Sequence, residues 1–380
     1  MNYIFENLKT DDYYLILIWV IGCYIIFGSL ILMTLQHKTV EFKRNDRNLL
    51  IVLVVFIAFF CGTRGQNIGT DTYNYYNYFY LKGLHIDNIF VFFKRLNTDF
   101  LFTIIMYVVF PFKSFTLFLL TVSLIMNISL YGFVRKFTNN SSLGSSLLLF
   151  LIMTCSLVFL NYELNTIRNG LAIPFILFGI FNTIQKEYKN AFLYFVIAFL
   201  FHRTSLIPIA CILLVLLSEK VKYKYFIIFY VLAIGLAYMG FGFDKLSFLA
   251  SIGNDDIQKL VFQGETSYRT GFRIDFVMYN SLFLFLFIKF SNLKNRTDLL
   301  LIKYYIVASV VFFFNFNIPF SDRIGGYSWV IIPLLLFNTI NTSFPRKKLS
   351  ILTWVTIFYF ALNYIILPLL SGGNDTQNHH

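Results

Sequence analysis

Charge is what this chain has least of. Only 13% of its 380 residues are Asp, Glu, Lys or Arg, about half the roughly 25% of an ordinary soluble domain. Apolar residues make up 58% and aromatic residues 20%. A soluble core cannot hide so much Phe and Leu, because a folded domain of this size still exposes about a quarter of its chain surface. The shortage of charge excludes a soluble enzyme, and the apolar excess excludes a disordered regulator. Cysteine is scarce too. Cys23, Cys61, Cys155 and Cys211 lie inside apolar runs without metal-ligand spacing, so they read as small hydrophobes and not as a disulfide framework. The strict alternation of an outer-membrane barrel is missing as well. The class that remains is an all-α, polytopic integral membrane protein.

Other absences bear on chemistry. There is no Walker A loop, no HExxH zinc site and no GxSxG elbow. No Asp-x-Asp pair of the metal-nucleotide kind occurs; Asp255 and Asp256 are adjacent and suit a solvated turn. No metal or other cofactor is expected, and neither is energy from ATP or a nucleotide sugar. An activated donor has to arrive already in the membrane. Met1–Asp12 lacks a basic n-region and leads into a run long enough to span, so no cleavable signal peptide is expected.

Segments of sufficient length and apolarity fall near 13–35, 48–62, 114–134, 143–160, 169–184, 190–201, 204–217, 224–240, 276–290, 300–314, 326–342 and 349–370. About 11–13 transmembrane helices are expected in one membrane domain over 1–372, with 373–380 a tail or tag remnant. The stretch 99–112 is short and reads as re-entrant or interfacial. The segment 190–217 has two readings, a helix pair or one long helix interrupted at His202–Arg203.

The formal net charge of +12 would suggest nucleic acid in a soluble protein. Here the basic residues cluster between apolar runs, and no nucleic-acid partner is expected. The loops at 37–47, 135–136, 185–189, 218–224, 289–296 and 345–348, with Lys303 and Asp298, hold 18 of the 31 basic and five of the 19 acidic residues. The other side keeps 13 basic and 14 acidic residues, a net +13 against −1. That asymmetry is the positive-inside pattern, so both termini and the long loops 63–99 and 241–275 are expected to face outward.

Polar chemistry collects on the outward side. Arg64 and Asp71 stand among glycines in CGTRGQNIGTDTY, followed by Tyr73 and further tyrosines. Glu163 and Arg168 flank a helix start in NYELNTIRNG, His202 and Arg203 lie in FHRTS, and Asp322, Arg323 and Tyr327 lie in SDRIGGY. Each has a structural reading beside the functional one. Arg64–Asp71 can be an ion pair holding a loop, and Asp322–Arg323 a rim pair. His202 can be a satisfied interhelical residue, Arg203 can snorkel toward headgroups, and Glu163 can favour a helix dipole. Arg269 and Arg273 can hold lipid phosphate. The joint functional reading rests on the cost of ionisable groups near a bilayer, which usually mark a pathway or site. Several arginines with few carboxylates suit a phosphate-bearing ligand, and the carboxylates and histidine then serve proton transfer.

The run RGQNIGTDTY (64–73), Arg168 opening RNGLAIPFILF, FHRTSLIPI and DRIGGY together resemble the EpsG/Wzy-like polysaccharide polymerases, in the same order and over roughly 50–330. Ile324 stands where the late family signature more often has Leu, and no family motif covers 241–275. The resemblance implies a GT-C-like membrane glycosyltransferase in the bacterial inner membrane, with its active site facing the exterior, as in O-antigen, lipopolysaccharide and capsule synthesis. Its partners would be undecaprenyl-diphosphate-linked oligosaccharides as donor and acceptor, membrane lipid and a chain-length regulator. On that reading Arg168 is catalytic, and Asp71 or His202 is the base. Arg64, Arg203 and Arg323 bind diphosphate, with Tyr73, Glu163, Asp322 and Tyr327 as sugar or diphosphate ligands. The transfer would be inverting and metal-independent. A flippase for a lipid-linked glycan and an O-antigen ligase are the alternatives.

Overall fold

The computed structural model describes residues 9–80, 99–140, 144–245 and 270–371. Arg269, Asp255, Asp256 and the tail 373–380 lie outside them. Every regular element among the described residues is helical. Hydrocarbon offers no water to a backbone N–H or C=O, and a helix satisfies both within its own segment. The all-α, polytopic architecture expected from composition is the one observed. Among the described residues, six helical segments are long and apolar enough to cross a membrane: Thr10–Thr34, Thr39–Gly62, Phe115–Asn139, Ile167–Ile184, Asp322–Ser343 and Lys348–Leu369. Shorter apolar helices accompany them.

The chain divides into two compact units, Met1–Leu206 with Phe344–His380, and Ile207–Ser343. The first holds α1 (Thr10–Thr34), α2 (Thr39–Gly62), α3 (Thr72–Tyr80), α4 (Phe100–Val109), α5 (Phe115–Asn140), α6 (Ser146–Thr154), α7 (Phe159–Leu164), α8 (Ile167–Ile184) and α9 (Tyr188–Phe201). The second runs through α10 (Leu206–Leu217), α11 (Tyr223–Tyr238), α12 (Ile274–Phe290), α13 (Arg296–Phe313), α14 (Asp322–Trp329) and α15 (Ile332–Ser343). The chain then returns to the first unit as α16 (Lys348–Ala361).

In the first unit α8 is the central helix, packed against α5, α7 and α9. Of its apolar window 89% is buried, against 33% for α1 and for the C-terminal helix. These two turn residues such as Leu15, Trp19, Phe27, Trp354 and Phe358 outward, as a lipid-facing surface allows. Lipid tails are as apolar as Leu, so close van der Waals packing holds such helices together, not escape from water. Phe178 of α8 stacks on Tyr194 of α9 with ring centroids 4.6 Å apart, and meets Phe133 of α5 edge-on at 5.4 Å. In the second unit α13 is the hub for α11, α12, α14 and α15. There Lys303 is fully buried and donates to the carbonyls of Ser218, Glu219 and Val221 at 3.4, 2.8 and 2.6 Å. It thereby serves backbone acceptors at and beyond the C-terminus of α10.

Two expected spans, 143–160 and 326–342, are broken. The segment 143–160 ends as α6 at Thr154 and resumes only at Phe159. The orphan carbonyls at that break are met by the C-terminal segment. Asn363 donates to Cys155 O at 3.0 Å and Tyr364 to Thr154 O. Both donors sit in a π-helical turn, Leu362–Ile366, whose wider register interrupts the α-helical ladder there. The segment 190–217 is a helix pair: His202 is extended (φ −159°, ψ 120°), and a 3₁₀ turn over Arg203–Ser205 precedes α10. The segment 326–342 breaks between Trp329 and Ile332. Pro333 has no N–H to offer the Trp329 carbonyl four residues back, and its ring crowds that carbonyl. The stretch expected as re-entrant is α4 followed by a 3₁₀ turn, Phe110–Phe112.

Candidate anion-binding and proton-transfer site

Within the first unit the basic and polar residues separate along the helices. Residues 36–47, 135–139 and 345–348 meet at one end, and Lys136 ties that end to the α8–α9 turn by an ion pair with Glu187 at 3.2 Å. The opposite ends of α2, α8 and α9 carry Arg64, Arg168 and His202.

The loop after α2 is pinned to the junction of α7 and α8. Arg64 is 1% exposed; its NH1 donates to Cys61 O at 2.7 Å and its NH2 to Leu164 O at 3.1 Å. It thus places one cation on the C-terminal carbonyls of two helices, where the helix dipole favours positive charge. Thr72 Oγ1 donates to Leu164 O at 3.2 Å, and the Asn165 side chain accepts from Thr70 N at 2.8 Å. Gly69 stands between them at φ +92°, and any Cβ there would run into Leu164 O. Asp71 is half-buried at the N-cap of α3, where its carbonyl accepts from Tyr75 N. This anchoring lays α3 along the site, with Tyr73 exposed and its ring stacked on Tyr76, and Tyr75 buried edge-on to Phe102 of α4.

The centre of the site is a residue that the sequence reading treated only as a helix boundary. Asp99, the N-cap of α4, is 4% exposed and gathers three of the expected site residues on one carboxylate. Arg168 NH1 lies 3.2 Å from Oδ2 and His202 Nδ1 2.9 Å from the same oxygen. The backbone N–H of Arg203 donates to Oδ1 at 3.1 Å, and the Arg203 side chain reaches it at 3.8 Å. Tyr75 is a further hydrogen-bond partner of Arg168. Burial alone raises the Asp99 carboxyl. The hydrogen bond and charge of His202, the charge of Arg168 and the Arg203 N–H outweigh it and hold the group below the usual carboxylate range. An ionised carboxylate only accepts, so His202 Nδ1 is the donor and neutral imidazole keeps its lone pair on Nε2. Two guanidiniums share one carboxylate, which leaves the cluster positive. Arg203 is 57% exposed and Arg168 32%, so both can meet a ligand.

Glu163 lies deeper. It is 2% exposed, near the C-terminus of α7 and not at a helix head, and accepts from Ser123 Oγ at 2.9 Å and Asn127 Nδ2 at 2.6 Å on α5. Gly170, two residues after Arg168, lets α8 pass against the Tyr162 carbonyl and the Met126 sulfur; a Cβ would overlap both. In the second unit Asp322 and Arg323 open α14, with the Arg323 guanidinium 4.6 Å over the Phe320 ring. Tyr327 is 1% exposed. Arg273 forms a short-range pair with Asp275 at 2.6 Å.

The signal for Asp99 was present in TDFLFTIIMYVVF: an acidic N-cap opening an apolar helix, on the side where the candidate arginines lie. Only folding shows that its partners are 69 and 103 residues away.

Taken together, the fold and this cluster define a multi-pass membrane protein in which Arg168, His202 and Arg203 gather on one buried carboxylate at helix ends. The chain belongs to the EpsG family, whose profile matches residues 47–377. Membership supports a membrane glycan-polymerase-like role in polysaccharide biosynthesis, of glycosyltransferase-like type, acting on lipid-linked saccharide. No curated protein and no solved structure matches the chain.

Proposed function

We propose that the protein lengthens a glycan carried on a lipid diphosphate at the outer face of the bacterial cytoplasmic membrane. The donor is a glycan on undecaprenyl diphosphate, and the acceptor is the terminal sugar hydroxyl of a second lipid-linked repeat. The observation that carries this reading is the gathering of Arg168, His202 and Arg203 on the buried Asp99 carboxylate. Bond cleavage at the anomeric carbon leaves charge on the departing diphosphate. Arg168 and Arg203, held before the substrate arrives, stabilise that charge as preorganised donors do. His202 takes the acceptor proton on Nε2, while Asp99 fixes its tautomer as the third member of a triad does. Arg64 supports the site from behind by holding the loop that carries Asp71 and α3, and the Tyr73 ring offers a face to sugar. Asp71 is a second candidate base; Glu163, Asp322, Arg323 and Tyr327 are secondary candidates. Inversion at the anomeric carbon follows if the acceptor attacks opposite the diphosphate.

The test is incubation of purified protein with the native lipid-linked repeat, followed by a product ladder on a gel. Arg168→Ala is expected to insert and fold but to give no chain lengthening. Full-length polymer from that variant removes Arg168 from the site and, with it, the proposed role of the cluster.

A further inference from the structure

The opposite, basic end of the first unit holds a half-open cavity of about 930 Å³. Its size falls in the ordinary range of ligand sites, roughly 300–1,000 Å³. Three stretches far apart in sequence build it: the start of α2, the end of α5 with the start of α6, and the segment leading into α16. Lys43, Arg44 and Arg47 line it from α2, Arg135 from α5, and the three consecutive cations 346–348 from the third stretch. Among the described residues none of these seven forms an ion pair. The one acidic residue in the lining, Asp46, is 4% exposed and committed elsewhere. It accepts from Ser145 Oγ and from the backbone N–H groups of Ser146 and Leu147, both at 3.1 Å, and so caps α6. The cavity therefore carries six positive charges in excess. Retention of basic loops on one side accounts for Lys and Arg in loops. It does not require seven of them to converge from three stretches on one cavity.

We infer that this cavity binds a phosphate-bearing anion, at a site separate from the Asp99 cluster and independent of the function proposed above. Guanidinium forks suit phosphate oxygens bidentately, and the lysines add point charge. The ligand is either an anionic lipid headgroup or a soluble polyphosphate. On the charge asymmetry of the loops the cavity faces the cytoplasm, which admits both sources.

Full-length protein is tested with two probes, inorganic pyrophosphate in detergent solution and nanodiscs of phosphatidylglycerol against phosphatidylcholine. The readouts are pyrophosphate affinity and thermal unfolding. Saturable pyrophosphate binding identifies a soluble ligand, and stabilisation by phosphatidylglycerol alone identifies a headgroup; either supports the site. The triple variant Arg44→Gln, Arg47→Gln, Lys347→Gln is expected to lose the effect, by about tenfold for each charge-assisted contact removed. Lys220→Gln, Lys222→Gln, Lys224→Gln removes the same charge from residues outside the cavity's lining and is expected to retain it. If the triple variant does not fold, Arg47→Gln alone carries the comparison. An equal loss in the control variant, or no response to either probe, overturns the site.

Discussion

Asp99→Asn is the substitution that separates a catalytic cluster from a structural clamp. The side chain keeps its shape but loses its charge and gains an NH₂ donor. Asp99 accepts from His202 Nδ1 at 2.9 Å, Arg203 N at 3.1 Å and Arg168 NH1 at 3.2 Å. A hydrogen bond to a charged group contributes about 1.5–3 kcal/mol net, and removing one partner of a fully buried ion pair costs about 3–5 kcal/mol. Solvent reaches Arg168 and Arg203, which screens both terms, and Asn still accepts one of the three bonds. The expected stability loss is therefore about 2 kcal/mol, within the screened range of such charge-assisted bonds.

The kinetic consequence is larger. An amide NH₂ turned toward Nδ1 favours the tautomer with its proton on Nε2, which then has no lone pair for the acceptor hydroxyl. The expected fall in turnover is about 10²–10⁴-fold, the range a positioned general base supplies. Two readouts are taken on detergent-purified protein, thermal unfolding and the rate of ladder growth from lipid-linked repeat. His202→Asn is measured alongside, with the double variant. If Asp99 acts through His202, the double variant is no slower than His202→Asn alone, because coupled residues are not additive. A variant less stable than the parent but equally fast per folded molecule refutes the proton-transfer reading and leaves Asp99 a clamp. Independent, additive losses refute the pairing.

Three further outcomes follow from the same coordinates. The Asp99 carboxyl is held below its usual value, so its contribution to stability is present above about pH 4, the unfolded carboxylate value, and is lost as pH falls through the depressed folded value. Unfolding midpoints of parent and Asp99→Asn across pH 2–8 should therefore converge at the acid end; a gap that stays constant there contradicts the assignment. Gly69→Ala puts a Cβ at φ +92° against Leu164 O, and is expected to cost about 1–3 kcal/mol in strain, read as a lowered unfolding midpoint. Lys303→Met leaves the carbonyls of Ser218, Glu219 and Val221 without their donor. It is expected to cost about 1–3 kcal/mol in thermal unfolding, with ladder growth per folded molecule unchanged.

The sequence made the membrane class and most helices legible because apolar run length is a local property. What it hid is where a run stops being one helix. The break after Thr154 depends on Asn363 and Tyr364, more than 200 residues away, which serve the freed carbonyls; no pattern within 143–160 contains them. Pro333 was a local signal for the break in the other long segment. At the site, Arg168, His202 and Arg203 were visible as charges at the ends of apolar runs, and the structure brings all three together. Arg64 was visible as well, but its burial on two helix C-termini was not, since a loop arginine looks alike whether it faces ligand or carbonyl. Asp99 was passed over because a single acidic residue before a helix has an ordinary capping explanation.

In the fold the Asp99 side chain makes no capping hydrogen bond, and its carboxylate holds the cluster instead. Like charges drawn to one place repel, so Arg168 and Arg203 would not hold a shared pose unaided. One buried carboxylate is enough to hold them and too little to neutralise them. It also leaves His202 with its lone pair turned away from the carboxylate. A second carboxylate in the same place would cancel the field that a departing diphosphate needs, and none would let the guanidiniums separate. On the proposed function, the count of one acid to two arginines and an imidazole is the feature by which this site would favour the charge of the leaving group over that of the resting substrate.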